Sequence, residues 1–361
     1  MAELSILRRV NSRNKGPTAP GWSSQPPTSS SPSSSSTVVD SEDNIFCRLT
    51  VPIILQAATA FCRKFPEFRF LHLPSFTKAV RQHATSNPHN REECLPRSKL
   101  QLLCASILAL CGRYIKSNLP VDRYASYVRE NIQIIDGPDI YTAQTLVVMS
   151  VYEWSTANAY RGWMFSGMAA RMMHSILVLV KPGQLTAIER EVHSRSIWSC
   201  YVLDRLIFCG RSVPFDLAAY GLQRLQIDWP IGEQDFAFAQ QSSDHRHAND
   251  EREHLLEGMK GDIDHYYDVL VRGFDIWART LNWVLAGGRR LPGMSDPENC
   301  PWLKTSAWGM MYDEISRWRE AQDVRLRYPE TGVEGHAVLG QAEAFAYVNL
   351  IYYIWYAPFS G

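Results

Sequence analysis

Residues 140–180 read IYTAQTLVVMSVYEWSTANAYRGWMFSGMAARMMHSILVLV, and residues 186–215 read TAIEREVHSRSIWSCYVLDRLIFCGRSVPF. From Tyr141 to Trp154 nearly every residue is apolar and neither Gly nor Pro interrupts, which predicts a helix buried on all sides at the centre of a core. A short polar turn, Ser155 to Asn158, leads into a second helix from about Tyr160 to Leu177. That helix sets Gly162, Ser166 and Ala170 on one stripe, a spacing of small residues that lets a second helix backbone come close, with Trp163, Met164, Met168 and Met172 filling its flanks. A third helix begins at Thr186 and Glu189, the spacing of a capping box. Glu191 and Arg195 lie four apart and are expected to pair on its exposed face, while Val192, Trp198, Val202 and Leu206 are expected on its inner side. Gly210 and Pro214 are expected to end it.

Working outward, the 361 residues are 45% hydrophobic and 20% charged, with formal net charge +0. That length buries a sizeable core. The zero balance argues against a chain-wide electrostatic grip on nucleic acid or anionic membrane, leaving only a local patch for such contacts. No uninterrupted apolar run of about 20 residues occurs, so no membrane-spanning helix is expected. Met1 to Val10 lack the long apolar region of a secretory signal. Cys47, Cys62, Cys94, Cys104, Cys111, Cys200, Cys209 and Cys300 are mostly embedded in apolar helical runs and read as free thiols in a reducing compartment.

Residues 1–42 contain the Ser/Pro-rich run NKGPTAPGWSSQPPTSSSPSSSSTV over 14–38 and read as a disordered linker. Its start carries Arg8, Arg9, Arg13 and Lys15, either a solvated tail or a contact for DNA backbone or nuclear import. Residues 43–361 form the second region, with a polar loop near 240–261. Apolar or amphipathic helical runs recur over 53–61, 100–114, 124–132, 263–284, 311–318 and 344–355, with no sustained period-two alternation. The pattern predicts an all-α multi-helix bundle.

The order Ser150-Val151-Tyr152-Glu153-Trp154, Gly167 to Arg171, Glu189 to Arg195, Trp198-Ser199, Leu203-Asp204-Arg205 and Gly210-Arg211 resembles the regulatory middle homology domain of fungal zinc-cluster transcription factors. Phe65 to Phe76 (FPEFRFLHLPSF) resembles that family's entry motif, an aromatic strap across the helices in which Pro74 sets the turn and His72 is a structural residue. Leu100 to Tyr114, the YASYVRENI run at 124–132 and Ile227 to Phe236 resemble further family segments, the last an acidic one in which Ile231 stands at the usual cysteine position. The resemblance covers about Ile45 to Tyr356, and the family's flanks are expected to be shortened here. The family's zinc cluster needs six closely spaced cysteines, and no cysteine precedes Cys47 and no CxxC occurs. No cofactor or metal is therefore expected in these residues, the zinc belonging to the family's DNA-binding module.

Other chemistry is weakly supported. Asn249-Asp250, Glu253 and Glu257, with Arg327-Tyr328 downstream, resemble the second metal motif of terpene synthases, but the aspartate-rich partner motif of such a magnesium enzyme is absent. His245, His247, His254 and His265 lack a carboxylate or Cys partner at fixed spacing and read as solvated. Asp264 to Asp268 reads as the exposed start of an amphipathic helix. No GxSxG, P-loop or GxGxxG pattern appears, and the chain is expected not to be an enzyme. Arg171 and Asp204 lie in apolar helices, where a buried charge needs a partner, so Arg171 is expected to pair with Asp204 or Glu153 and set helix register.

What the resemblance implies is a transcription regulator's helical control domain, working in a nucleus and reaching DNA through a zinc cluster outside these residues or on a partner. Homo- or heterodimerisation with a related regulator and a small-molecule effector also follow from it, with no membrane role. The aromatic residues Trp154, Trp163 and Trp198 at the helix junctions mark the expected effector cavity. The alternative is an interaction module that dimerises with a full-length relative and does not itself bind DNA.

Overall fold

A capped, fully enclosed helix organises the molecule. Asp139 Oδ2 accepts hydrogen bonds from the Thr142 backbone N–H at 2.8 Å and the Thr142 hydroxyl at 2.9 Å, starting helix α5, Ile140–Ser155. Such a cap contributes about 1 kcal/mol. Thr142 to Ser150, Tyr152 and Glu153 are all buried, as the unbroken apolar run requires. The structure, a computed structural model, describes residues 50–85, 98–116, 119–180, 182–208, 227–239, 256, 258–300 and 303–356.

Twelve α-helices and no strand occur among the described residues. Before α5 come α1 (Val51–Lys64), α2 (Leu73–Thr85), α3 (Lys99–Cys111) and α4 (Val121–Asn131). After it come α6 (Ala159–Leu179), α7 (Ala187–Phe208), the short α8 (Glu233–Ala237), α9 (Tyr266–Leu285), α10 (Ala307–Glu320), the short α11 (Glu334–Val338) and α12 (Ala342–Tyr356). The helices lie within one compact unit, Leu49–Gly361. α5 packs on α3, α6 and α7, and α3 in turn on α1 and α4. A second focus is α9, which packs on α7, α10 and α12, and α12 closes back onto α1.

The small-residue stripe does what its spacing predicts at its first two positions. Gly162 and Ser166 are buried, a Cβ at Gly162 would meet the Ser150 carbonyl at 3.1 Å, and the Ser150 hydroxyl donates to the Gly162 carbonyl at 2.6 Å. The flanks differ from expectation: Met172 is buried, but Trp163 is 42% exposed and Met164 is exposed. Among the described residues α6 packs chiefly on α5 and α7, and Tyr160, Trp163 and Met164 are exposed on its outer face. The capping box of α7 forms as predicted, with Glu189 Oε2 accepting from the Thr186 N–H and hydroxyl, each at 2.8 Å.

Three further expectations are corrected. Glu191 and Arg195 do pair, at 2.6 Å, but both are buried, because the acidic segment at 227–236 lies over that face of α7. His265, Tyr266, Tyr267 and Asp268 are buried at the start of α9, which is enclosed on all sides in its first half. Arg171 is exposed and pairs with neither Asp204 nor Glu153. Its position on α6 falls on the exposed face, because an apolar helix with a solvent-facing side can carry a charge there.

Candidate functional site

Arg195 of α7 is completely enclosed, and its guanidinium is satisfied by four acceptors: Glu191 Oε1 at 2.6 Å, Glu233 Oε1 at 2.6 Å, the Ile231 carbonyl at 2.7 Å and the Arg69 carbonyl at 3.4 Å. Arg69, in the aromatic segment between α1 and α2, donates Nε–H to Glu233 Oε2 at 2.7 Å and Nη1–H to the Cys62 carbonyl at 2.9 Å. Glu233 at the start of α8 thus bridges two guanidiniums. Two cations and two anions give this junction zero formal charge, the condition under which buried charges are tolerated. The Arg195 guanidinium also lies 4.0 Å from the Phe236 ring centroid.

The two carboxylates respond differently to burial. Burial pushes the Glu233 carboxyl up, but the guanidiniums of Arg195 and Arg69 outweigh it and hold it below its ordinary value. Glu191 has one guanidinium, and the Glu233 carboxylate opposes it, so burial wins and its carboxyl is raised. Around the junction the acidic segment is pinned to α7. Ser194 and Trp198 donate to the Asp228 carbonyl at 2.7 and 3.0 Å, and the Trp229 ring stacks on Trp198 at 4.7 Å and 9°. His72 is buried beside Phe236, with Nδ1 2.7 Å from the Ser75 hydroxyl and Nε2 3.4 Å from the Ala237 carbonyl. A carbonyl only accepts, so the neutral ring carries its proton on Nε2 and accepts at Nδ1.

The sequence candidates scatter around this centre. Glu153 is buried and takes Arg129 at 2.7 Å and Arg161 at 3.8 Å, and Asp204 is buried in α7. Trp198 is buried against Trp229, Trp163 lies near Tyr160 on the outer face of α6, and Trp154 is half-buried with its backbone facing Gly162. A cleft of about 440 Å³ opens beside the ion junction, its lining including the polar Arg63, Arg69 and Tyr266 and the apolar Leu73, Val338 and Leu339. Arg69 and Glu233 escaped the sequence reading, although an arginine flanked by phenylalanines in the run 65–70 is the signal of a charge entering a core.

Among the described residues, no group of three or more His, Cys, Asp or Glu is placed to hold a metal ion. His265 is engaged by Asp262 at 2.7 Å. Cys62, Cys104, Cys111 and Cys200 are buried free thiols, and burial pushes Cys104 up to about 12. Arg8, Arg9, Arg13 and Lys15, the loop over 240–255 with His245, His247 and His254, the set Asn249, Asp250, Glu253 and Glu257, and the terminators Gly210 and Pro214 lie outside the described residues. No helix among the described residues is long and apolar enough to cross a membrane.

Residues 61–257 match the sequence model of the fungal specific transcription factor domain. The chain is similar to an uncharacterized transcriptional regulatory protein of Schizosaccharomyces pombe, 21% identical over 318 residues covering 81% of this chain and 30% of that protein. It is also similar to the Zn(2)-C6 fungal-type transcription factor FTF1c of Fusarium oxysporum, 20% identical over 307 residues, 78% of this chain and 31% of that protein. A TY1 enhancer activator of Saccharomyces cerevisiae is 27% identical over 156 residues, 39% of this chain and 20% of that protein. The chain spans under a third of the length of these relatives. No solved structure matches.

Proposed function

Since this chain belongs to the fungal specific transcription factor domain family, we propose that it is the helical control domain of a zinc-cluster type transcription regulator and that it acts in the nucleus. On this reading the domain catalyses nothing and holds no metal of its own. DNA is contacted through a zinc cluster carried elsewhere on the same polypeptide or by a dimer partner. The observation that carries the reading is the ion junction: segments 65–76, 189–195 and 227–236, all of which resemble the family, converge on one buried, neutral cluster next to an open cleft. A ligand that favours one packing of these elements shifts the population of helix arrangements and so the surfaces they expose.

Fusing the chain to an unrelated DNA-binding domain tests this in a fungal reporter strain. Reporter output is expected to change, up or down, relative to the DNA binder alone, and to change again when the Arg195→Ala substitution disrupts the junction. Output equal to the DNA binder alone refutes the reading.

A second reading, an interaction module that pairs with a related regulator, is favoured by the exposed outer face of α6, which carries Tyr160, Trp163, Met164, Val178 and Leu179. Sedimentation of the purified chain and a gel shift on genomic fragments separate the two. Self-association lost on Trp163→Glu, without DNA binding, supports the pairing role.

A further inference from the structure

We propose that the cleft between α1, the segment entering α2, the start of α9 and the turn joining α11 to α12 binds a small organic carboxylate with an apolar body. Its role as effector rests on the regulatory reading above, whereas its binding does not.

The cleft's volume of about 440 Å³ falls in the range of small-molecule sites, which are apolar enclosures with a few convergent polar groups. None of the residues lining it is acidic, and two are arginines. Arg63 is exposed on the last turn of α1 and takes part in no ion pair among the described residues. Arg69 commits Nε and Nη1 to Glu233 and the Cys62 carbonyl, yet its side chain remains 25% exposed, leaving Nη2 as the donor available to the cleft.

The third polar group is Tyr266, 4% exposed. It lines the cleft, so its phenol ring and hydroxyl belong to the lining. Burial, reinforced by the Glu233 carboxylate, pushes this phenol above its ordinary value, so it remains a donor at neutral pH. Two guanidinium groups and a phenol O–H share one lining that holds no carboxylate, and Arg63, unlike Arg69 with its Glu233 partner, brings an uncommitted charge, a set that favours an anion over a cation.

The apolar stretch of wall decides what kind of anion fits. Leu73, Val338 and Leu339 belong to it, and Val338 is 88% exposed and Leu339 63% exposed at the end of α11. A compact inorganic anion would satisfy the donors and leave this wall wet. A carboxylate with an apolar body satisfies the donors and covers the wall.

Isothermal titration of the full chain with 4-phenylbutyrate tests the proposal, against 4-phenyl-1-butanol, which keeps the body and lacks the charge, and inorganic phosphate, which has charge without the body. Saturable binding of 4-phenylbutyrate is expected, with both comparison compounds weaker by about tenfold or more. Arg63→Gln, on an exposed residue outside the ion junction, is expected to weaken 4-phenylbutyrate binding by about tenfold while leaving the thermal melt in place. Tyr266→Phe keeps the ring, removes only the hydroxyl and is expected to weaken binding as well. No saturable binding of 4-phenylbutyrate, equal binding of the alcohol or of phosphate, or unchanged binding by both variants overturns the site. The reporter fusion keeps the two claims apart. Binding with a silent reporter refutes the regulatory reading and leaves the site standing, whereas a responsive reporter without binding refutes the site alone.

Discussion

Glu153 and Arg171 sit in adjacent helices and carry opposite charge, yet their surroundings give them unrelated roles. Glu153 is fully enclosed and depends on Arg129 at 2.7 Å, with Arg161 at 3.8 Å too distant to replace it. Arg129→Met is therefore expected to lower unfolding free energy by about 3 kcal/mol, because it leaves a buried carboxylate without its close partner. Arg171→Met, on the exposed face of α6, is expected to stay within about 0.5 kcal/mol of the parent. Urea unfolding of both variants checks the pair, and equal losses would refute the assignment of Glu153 to Arg129. His72 adds a pH dependence. Burial, assisted by the nearby Arg195 charge, depresses its imidazole from an ordinary value of 6.5. Between the folded value and 6.5 the unfolded chain binds more protons than the folded one, so this contribution to stability is present above 6.5 and lost as pH falls through the folded value. His72→Gln is expected to flatten the decline in melting temperature between about pH 7 and pH 5.5. Parallel declines in parent and variant would show that other groups carry the dependence.

At the level of elements, two glycines on different helices look alike in the sequence and answer to opposite constraints. Gly273 lies in the enclosed half of α9, where a Cβ would meet Trp318 of α10 at 2.5 Å. Trp318 is itself fully buried and donates its indole N–H to the Val269 carbonyl at 3.0 Å, so the ring cannot retreat without losing that bond. Gly167 lies within α6 with nothing within 4 Å of a Cβ. Gly273→Ala is expected to destabilise by about 1–3 kcal/mol through overpacking. Gly167→Ala is expected to stabilise by about 0.5–1 kcal/mol, the helix propensity difference alone. Denaturant midpoints of the two variants should move in opposite directions. α5 and α6 approach closely at Gly162, where an added Cβ would crowd the Ser150 carbonyl at 3.1 Å.

Across the whole molecule, α7 contacts both the α5 group and α9, and α12 contacts both α9 and α1. The two foci of packing therefore share walls. Unfolding followed by far-UV circular dichroism and by tryptophan fluorescence is expected to give coincident transitions, since Trp198 and Trp318 report from opposite foci and helices from both. Separated midpoints would show that the α9 group melts on its own.

How much was legible follows from the range of each interaction. Helix existence, the caps at Thr186 and Glu189 and the enclosure of α5 are set within a few residues of chain, by periodicity, propensity and local hydrogen bonds. The all-α class and the family resemblance were readable for that reason. Which charges lie inside depends on contacts between residues far apart: the four-residue spacing of Glu191 and Arg195 is that of a surface pair, and the arrival of Glu233 and Arg69 encloses them. The sequence determined the helices and the family; the tertiary structure decided which faces they bury, and hence the ion junction and the cleft, because burial is a property of the neighbour that covers a residue.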